Sequence, residues 1–498
     1  MQASLDPQDF ESARQARDPR FDGKFYVGVL TTGIYCRPTC PVRIPKKENV
    51  QLYPSAAAAA AAGFRPCLRC KPESSPGTPD WCAGSWKVSR ALQLIEQGFL
   101  DDHPVNHLAA RLGVGPRQLS RLFRERLGAS PLQLAKTRRL QFAKKLLDET
   151  DMPLSAVCFA AGFSSVRRFN AVFLETYSRS PGQVRRSRLV RKRDSDRPVQ
   201  PGQVHLQLSY RPPYDWQSTL DFLRYRMIPG VESVQDKTYA RSFTLDGKQG
   251  HFKAAFVDSA PLLNVVIDYP DTAQLSRIVE KIRRIFDLRA DSLAIQSDLA
   301  RDPFLAEVVR RHNGLRVPGC WDGFEVCIRA ILGQQVTVKA ATTLAARVAE
   351  KFGEPYRCET DQLTHTFPAP TTLQQADLDG LGIVGQRVAA IRAVSQAVST
   401  GKLGFDPACD SEAFISAMCH IKGIGEWTAR YVAMRALGDP DAFPYGDLIL
   451  RRAAAPAGET LSPRQLLNRS QNWQPWRAYA VIFLWKHYAN QKGAGEKK

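Results

Sequence analysis

The 498-residue chain has no apolar run long enough to cross a bilayer, no hydrophobic stretch at its N-terminus, and too few acidic residues to balance its basic ones. The first absence argues against a membrane-spanning helix, which needs about 20 consecutive apolar residues. The second argues against a secretory leader, because MQASLDPQDFESARQARDPRF carries acidic side chains where an apolar core would sit. With no export signal, the eleven cysteines read as thiols or metal ligands rather than disulfides, and a cytoplasmic, nucleoid-associated protein is expected. The acidic deficit is 49 Asp+Glu against 69 Lys+Arg, a net charge of +20. It is uneven: residues 1–200 carry 33 basic and 18 acidic side chains, leaving 36 and 31 for residues 201–498. A front part this basic favours a polyanionic partner, nucleic acid first, although a solvated basic surface would look similar. A 44% hydrophobic and 24% charged composition is that of folded globular domains, and the length suggests three or four of them.

What is present divides by composition into residues 1–80, 85–185, 186–203, 204–290 and 291–498. The first part is cysteine-bearing and turn-rich, with a short helix expected over Ala56–Ala62. The second is helical by period and holds a repeat. Leu119, Leu122 and Phe123 recur as Phe169, Val172 and Phe173, and Ser130-Pro131 recurs as Ser180-Pro181. In each copy a helix ends at glycine, Gly113 or Gly162, and a second helix begins after a short turn. Two helix-turn-helix units joined by a long helix around Leu132–Leu147 account for that layout; an ordinary bundle is the alternative. Arg117, Gln118, Arg121 and Arg124 in one copy, and Arg167, Arg168 and Asn170 in the other, suit phosphates and base edges in a major groove. Residues 186–203, charged and bearing two prolines, read as a basic linker. In 204–290, HLQLSY, SVQDKTYARSFTL and LLNVVIDY read as strands, Asp246-Gly247 as a hairpin turn, and LSRIVEKIRRIFDL as a helix. The remainder is mainly helical.

Cys36, Cys40, Cys67 and Cys70 form a C-x3-C pair and a C-x2-C pair across a loop, a spacing that supplies four thiolates to one Zn²⁺. Spacing alone points first to a structural zinc. The other seven cysteines lack such partners and read as buried thiols. TTGIYCRPTCPVRIPKKENVQLY and AAGFRPCLRC resemble the N-terminal domain of the Ada family, and the double helix-turn-helix behind them is similar to the AraC-type region of that family. The resemblance implies that Cys36 takes a methyl group from a DNA phosphotriester. It also implies that methylation, by changing the site's charge from −2 to −1, reduces repulsion from phosphates and makes residues 1–185 a transcriptional activator.

Further along, IKGIGEWTA places Gly423 and Gly425 in a tight turn between helices, where backbone N–H groups can approach a DNA phosphate. Asp447 follows in DAFPYGDLILRR, a position that equally suits a helix N-cap. The stretches RPPYDW, VPGCWDGFE, RAILGQQV, IKGIGEWTARYVAMRALG and PWRAYAVIFLW resemble the AlkA family of 3-methyladenine DNA glycosylases, members of the helix-hairpin-helix superfamily. The Pro-Cys-His-Arg motif of alkylguanine methyltransferases, which often follows Ada-like domains, is absent. The resemblance implies that Asp447 is the catalytic carboxylate and that Trp427, Tyr431, Phe222 and Trp485 line the base pocket. It implies a hairpin that contacts DNA through Gly423 and Gly425 and holds a monovalent cation, and a wedge at Gln335, where the family has leucine. Trp427 stands where strand-cutting members carry a Schiff-base lysine, so a monofunctional enzyme is expected. Aromatics at such spacing also occur as plain core.

The expected whole is a multi-domain α+β protein. It comprises a small zinc domain, an all-α double helix-turn-helix, an α+β domain of the AlkA N-terminal type and an all-α helix-hairpin-helix domain. Its expected activities are excision of alkylated purines and one-time methyl transfer to Cys36. Its expected partners are alkylated and promoter double-stranded DNA and RNA polymerase, with the chain monomeric and free of membranes. The rival is a transcription factor whose C-terminal half only binds or scans DNA.

Overall fold

The computed structural model describes residues 7–79, 86–191, 202–358, 361–406, 409–456 and 458–495. Contacts divide the chain into two compact units. One comprises Met1–Pro212, Val257–Arg283 and Leu288–Ala290; the other comprises Pro213–Phe256, Arg284–Asp287 and Asp291–Lys498. Among the described residues no helix is long and apolar enough to cross a membrane.

In the first unit, strand Tyr26–Val29 lies between Val50–Tyr53 and Ile34–Cys36, antiparallel to both, and Arg65–Pro66 joins the far side of Ile34–Cys36 in parallel. The alanine run forms the helix Ala56–Ala61, small enough on all sides to bury Ala56 to Ala59. Its cap, Ser55, accepts from Ala58 N at 3.0 Å and donates to the Leu127 carbonyl at 2.7 Å, tying this helix to the first helix-turn-helix.

The two helix-turn-helix pairs are Val105–Arg111 with Pro116–Leu127, and Leu154–Ala160 with Val166–Tyr177. Gly113 and Gly162 take the left-handed conformation that ends each first helix (φ +62° and +83°). Leu119, Phe123, Phe169 and Phe173 are fully buried, while Leu122 and Val172 sit at the core's edge. The repeat therefore encodes one core twice. Helix Pro131–Glu149 connects the copies and opens with a capping box between Ser130 and Gln133. Helix Pro181–Arg191 extends into the segment read as a linker, with no proline or glycine between Gln183 and Arg191. Residues 192–201 lie outside the described residues. Strands Gln203–Ser209 and Leu262–Asp268 then pair antiparallel along their full lengths.

In the second unit helix Trp216–Tyr225 is followed by a meander of Glu232–Gln235, Thr238–Leu245 and Lys248–Val257, and the remaining helices come after it. SVQDKTYARSFTL is thus two strands rather than one. Asp236 at φ +47° makes a tight turn that sequence alternation did not mark. The Asp246-Gly247 turn is present, with both residues at positive φ. A buried ion network joins the meander to helix Gly323–Leu332. Arg241 meets Glu325 at 2.6 Å, and Arg329 meets both Glu325 and Glu232 at 3.0 Å. One of these pairs broken would strand a charge at a cost of about 3–5 kcal/mol. A short hairpin, Pro355–Cys358 with Leu363–His365, interrupts the helical remainder.

Candidate functional site

The zinc cysteines gather at one end of the small sheet, where the parallel strands Ile34–Cys36 and Arg65–Pro66 both finish. Cys36 closes strand Ile34–Cys36, and Cys40 turns back through its N–H to the Arg37 carbonyl at 3.2 Å. Cys67 follows strand Arg65–Pro66 with its N–H on Tyr35 O at 3.0 Å, and Cys70 precedes Lys71, at φ +51°. All four Sγ atoms lie within 4.8 Å of one another, and all four residues are buried. A tetrahedral zinc with bonds of about 2.3 Å spaces its sulfurs about 3.8 Å apart, so the donors fit one Zn²⁺ held by four cysteines. The Arg37 N–H points at Cys70 Sγ at 3.4 Å. Burial does not single out Cys36, since the four are covered alike.

Behind Cys70 the chain enters a buried charge cluster. Lys144 of the long helix contacts Glu73 at 3.1 Å and Asp148 at 2.6 Å, and Lys71 reaches Asp148 at 3.1 Å. The loop that carries the last zinc ligand is thereby anchored to the helix linking the two helix-turn-helix units. On those units Arg117, Gln118, Arg121, Arg167, Arg168 and Asn170 are exposed in the first half of the second helices, and Arg124 is exposed in the last turn of the first copy's second helix.

In the second unit Asp447 is half-buried and faces three donors. Its Oδ1 accepts from Leu450 N at 3.0 Å and Trp485 Nε1 at 3.3 Å; its Oδ2 accepts from Trp427 Nε1 at 3.0 Å. It is therefore both a helix N-cap and a carboxylate held between two indoles. Trp427 stacks on Tyr431 at 5.6 Å between centroids, with Tyr431 and Phe222 each 6.4 Å from Trp485. The four aromatics named from sequence thus converge around this carboxylate.

Two arginines that sequence reasoning missed complete the cluster. Arg226 lies 3.8 Å over Phe222 and 5.8 Å over Trp485. Arg435 lies 4.9 Å over Phe222 and donates to the Tyr431 hydroxyl at 2.8 Å. Burial alone would raise the Tyr431 phenol, but Arg435, Arg226 and Arg329 outweigh it and lower its pKa. No sequence spacing links Arg226 to Arg435. The nearest signal is the π-helical stretch Ala433–Leu437, a departure from regular helix common at functional sites.

The hairpin joins helix Ser411–Cys419 to helix Glu426–Val432. Gly423 has φ +92°, and a Cβ there would sit 3.0 Å from Ala390 Cβ, so glycine is required twice over. Gly425 caps the next helix without a side chain, and the space beside it is open. Gln335 is exposed in a turn at φ +55°, a strained conformation for a non-glycine. Its neighbour Gln334 clamps that turn to the hairpin through Gly423 O at 3.0 Å and Thr428 Oγ1 at 3.1 Å.

The reading of the remaining cysteines as buried thiols without partners is corrected. Cys158 and Cys327 are buried, but Cys419 is exposed and Cys320, Cys358 and Cys409 are half-buried; Cys82 lies outside the described residues. Cys358 has His251 and Asp361 beside it; Asp361 is three residues on, but His251 is too distant in sequence for spacing to reveal.

Comparison with known proteins agrees with this division of labour. Residues 10–73 match the metal binding domain of Ada, 108–187 a helix-turn-helix domain, and 205–322 the AlkA N-terminal domain. Residues 328–476 match the HhH-GPD superfamily of base excision DNA repair proteins. These define the class: a zinc-bearing DNA-binding regulator fused to a helix-hairpin-helix glycosylase. The chain is 40% identical, over 98% of its length and 99% of the relative's, to the probable bifunctional transcriptional activator/DNA repair enzyme AlkA of Mycobacterium tuberculosis. It is 32% identical over 56% of its length to 95% of DNA-3-methyladenine glycosylase 2 of Escherichia coli (strain K12). The chain belongs to the Ada–AlkA family of bifunctional transcriptional activator/DNA repair proteins. A 3-methyladenine DNA glycosylase from Archaeoglobus fulgidus shares its fold, with a TM-score of 0.51 and 20% identity over 57% of this chain and 98% of that one.

Proposed function

We propose that the second unit excises alkylated purines from duplex DNA by hydrolysis, leaving an abasic site. The observation that carries this is Asp447, a carboxylate held between two indole N–H groups beside a cluster of aromatic faces. Base loss leaves a sugar with oxocarbenium character, and a fixed carboxylate stabilises that charge. In the proposed step the N-glycosidic bond breaks, its electron pair leaves with the base, and water bonds to the sugar carbon as its proton passes to Asp447 or solvent. The nucleotide must leave the stack first. On this proposal Gln335, exposed on its clamped turn, serves as the wedge that fills the gap, and the Gly423–Gly425 hairpin serves as the phosphate contact. Trp427 offers no amine for a Schiff base, which supports the monofunctional reading.

The first unit, on this proposal, accepts a methyl group at Cys36. Zinc, when bound, keeps the sulfurs ionised at neutral pH, so a thiolate is present without a general base. The Cys36 sulfur bonds to the methyl carbon as its bond to the phosphotriester oxygen breaks, and the phosphodiester leaves as an anion. The site loses one negative charge, and the Lys71–Asp148–Lys144–Glu73 cluster offers a path from the Cys70 loop to the helix that links the two helix-turn-helix units. Stronger promoter binding and recruitment of RNA polymerase by a monomer would follow.

Two measurements test the halves. Incubation with methylphosphotriester DNA followed by peptide mass spectrometry should place one methyl group on Cys36; methyl on another cysteine, or none, rejects the acceptor. Free base released from dimethyl-sulfate-treated DNA should appear with the wild type. Binding without release would favour the rival reading of the C-terminal half as a DNA scanner.

A further inference from the structure

His251 converges in the second unit with Cys358 and Asp361, which lie more than a hundred residues further along the chain. His251 lies in strand Lys248–Val257, Cys358 ends strand Pro355–Cys358, and Asp361 follows in the hairpin loop. Their ligand atoms all fall within 4.8 Å of one another. Cys358 Sγ is 3.6 Å from His251 Nε2 and 3.2 Å from Asp361 Oδ2. A tetrahedral zinc with a bond of about 2.3 Å to sulfur and about 2.0–2.1 Å to nitrogen and oxygen spaces S from either by about 3.5–3.6 Å. The S–N separation matches, and the S–O separation is about 0.3 Å shorter, a gap that a small rotation of the Asp361 carboxylate closes.

The surroundings have the features of a supported metal site. His251 Nδ1 is 2.7 Å from the Tyr356 hydroxyl. With the phenol oxygen accepting from Nδ1–H, Nε2 turns its lone pair toward the sulfur, the tautomer that a metal selects. Lys253 Nζ holds Asp361 Oδ2 at 2.7 Å, fixing the carboxylate beside the sulfur. His251 and Asp361 are buried, whereas Cys358 is half-buried, which leaves an open side for an ion to arrive and for water as a fourth ligand.

We propose that His251 Nε2, Cys358 Sγ and Asp361 bind one divalent cation of the zinc class. The ion pins the Pro355–His365 hairpin to strand Lys248–Val257. Binding releases the Cys358 thiol proton to solvent, and thiolate plus carboxylate then neutralise the two positive charges. Imidazole, thiolate and carboxylate together suit zinc rather than magnesium or calcium, which prefer all-oxygen sites. This site is separate from the four-cysteine centre and independent of the glycosylase reading.

The test is zinc stoichiometry of the full chain, stripped with chelator, reloaded with excess zinc, gel-filtered and analysed by elemental mass spectrometry. Wild type should carry two zinc ions per chain, and Cys358→Ser and His251→Gln one each. Tyr356→Phe should keep both sites but weaken the second by about 10- to 100-fold. A wild-type chain that saturates with one zinc overturns the proposal without recourse to any variant. So does a Cys358→Ser chain that retains two, which would put the second ion elsewhere.

Discussion

Replacing Asp447 with asparagine separates chemistry from architecture at one position. The aspartate oxygens serve Leu450 N, Trp485 Nε1 and Trp427 Nε1. Asparagine caps a helix as well as aspartate does, so the helix Leu448–Ala453 keeps its start. It has a single acceptor oxygen, however, and if that oxygen stays with Leu450 and Trp485, the amide nitrogen faces the Trp427 N–H. One hydrogen bond to a charged acceptor is lost, a cost of about 1.5–3 kcal/mol. The effect on catalysis is larger. A carboxylate about 4 Å from a developing positive charge, at an effective dielectric near 20, is worth about 4 kcal/mol. At about 1.4 kcal/mol per decade this is a roughly thousandfold loss of rate. The assay is single-turnover release of free base from methylated duplex, beside fluorescence anisotropy on DNA bearing an abasic analogue. Asp447→Asn should release base about a thousandfold more slowly and bind DNA within a few-fold of wild type. Release within tenfold of wild type would refute the electrostatic role, and parallel loss of binding and release would show that the residue's contribution is structural.

Arg226 and Arg435 already occupy the faces of Phe222, Trp485 and Tyr431, so they compete with a cationic purine for those rings. Arg226→Ala should raise release of 3-methyladenine relative to the neutral base hypoxanthine by about 3- to 10-fold; an unchanged ratio would place Arg226 outside the base-binding surface. Glu232 is buried, which by itself raises its pKa, but Arg329 and Arg241 outweigh the burial and hold it below the usual glutamate range. Its contribution to stability is therefore present above the unfolded value of about 4.3 and fades as pH falls through the lower folded value. Glu232→Gln should cost about 3 kcal/mol in urea unfolding at pH 7 and progressively less below pH 4; an equal cost at both would contradict the ion network. In the reading helices, Arg117→Ala or Arg168→Ala should lower the slope of log affinity against log salt by about 0.9 for each phosphate contact removed. Promoter titrations at several salt concentrations measure this, and an unchanged slope and affinity would exclude that side chain from the interface.

Local pattern carried much of this protein. Two close cysteine pairs, a repeated Leu/Phe core motif and a glycine turn each depend on neighbours a few residues apart, where backbone geometry fixes what meets what. Resemblance then supplied Asp447 and the aromatic quartet from scattered stretches of the chain. Even local pattern had limits. The turn at Asp236 was hidden because Asp236-Lys237 has no glycine or proline to mark it, and the helix through Arg191 was hidden because a basic, weakly apolar sequence does not itself break a helix.

The sequence by itself determined the zinc ligands, the paired helix-turn-helix units and the hairpin glycines, since each is written in short-range spacing. Only the tertiary structure decided that Asp447 sits between two indoles, that Arg226 and Arg435 cover the aromatic faces, and that His251, Cys358 and Asp361 meet. Those arrangements join side chains far apart along the chain. Their proximity is set by how strands and helices pack, and packing leaves no periodic trace in a single sequence.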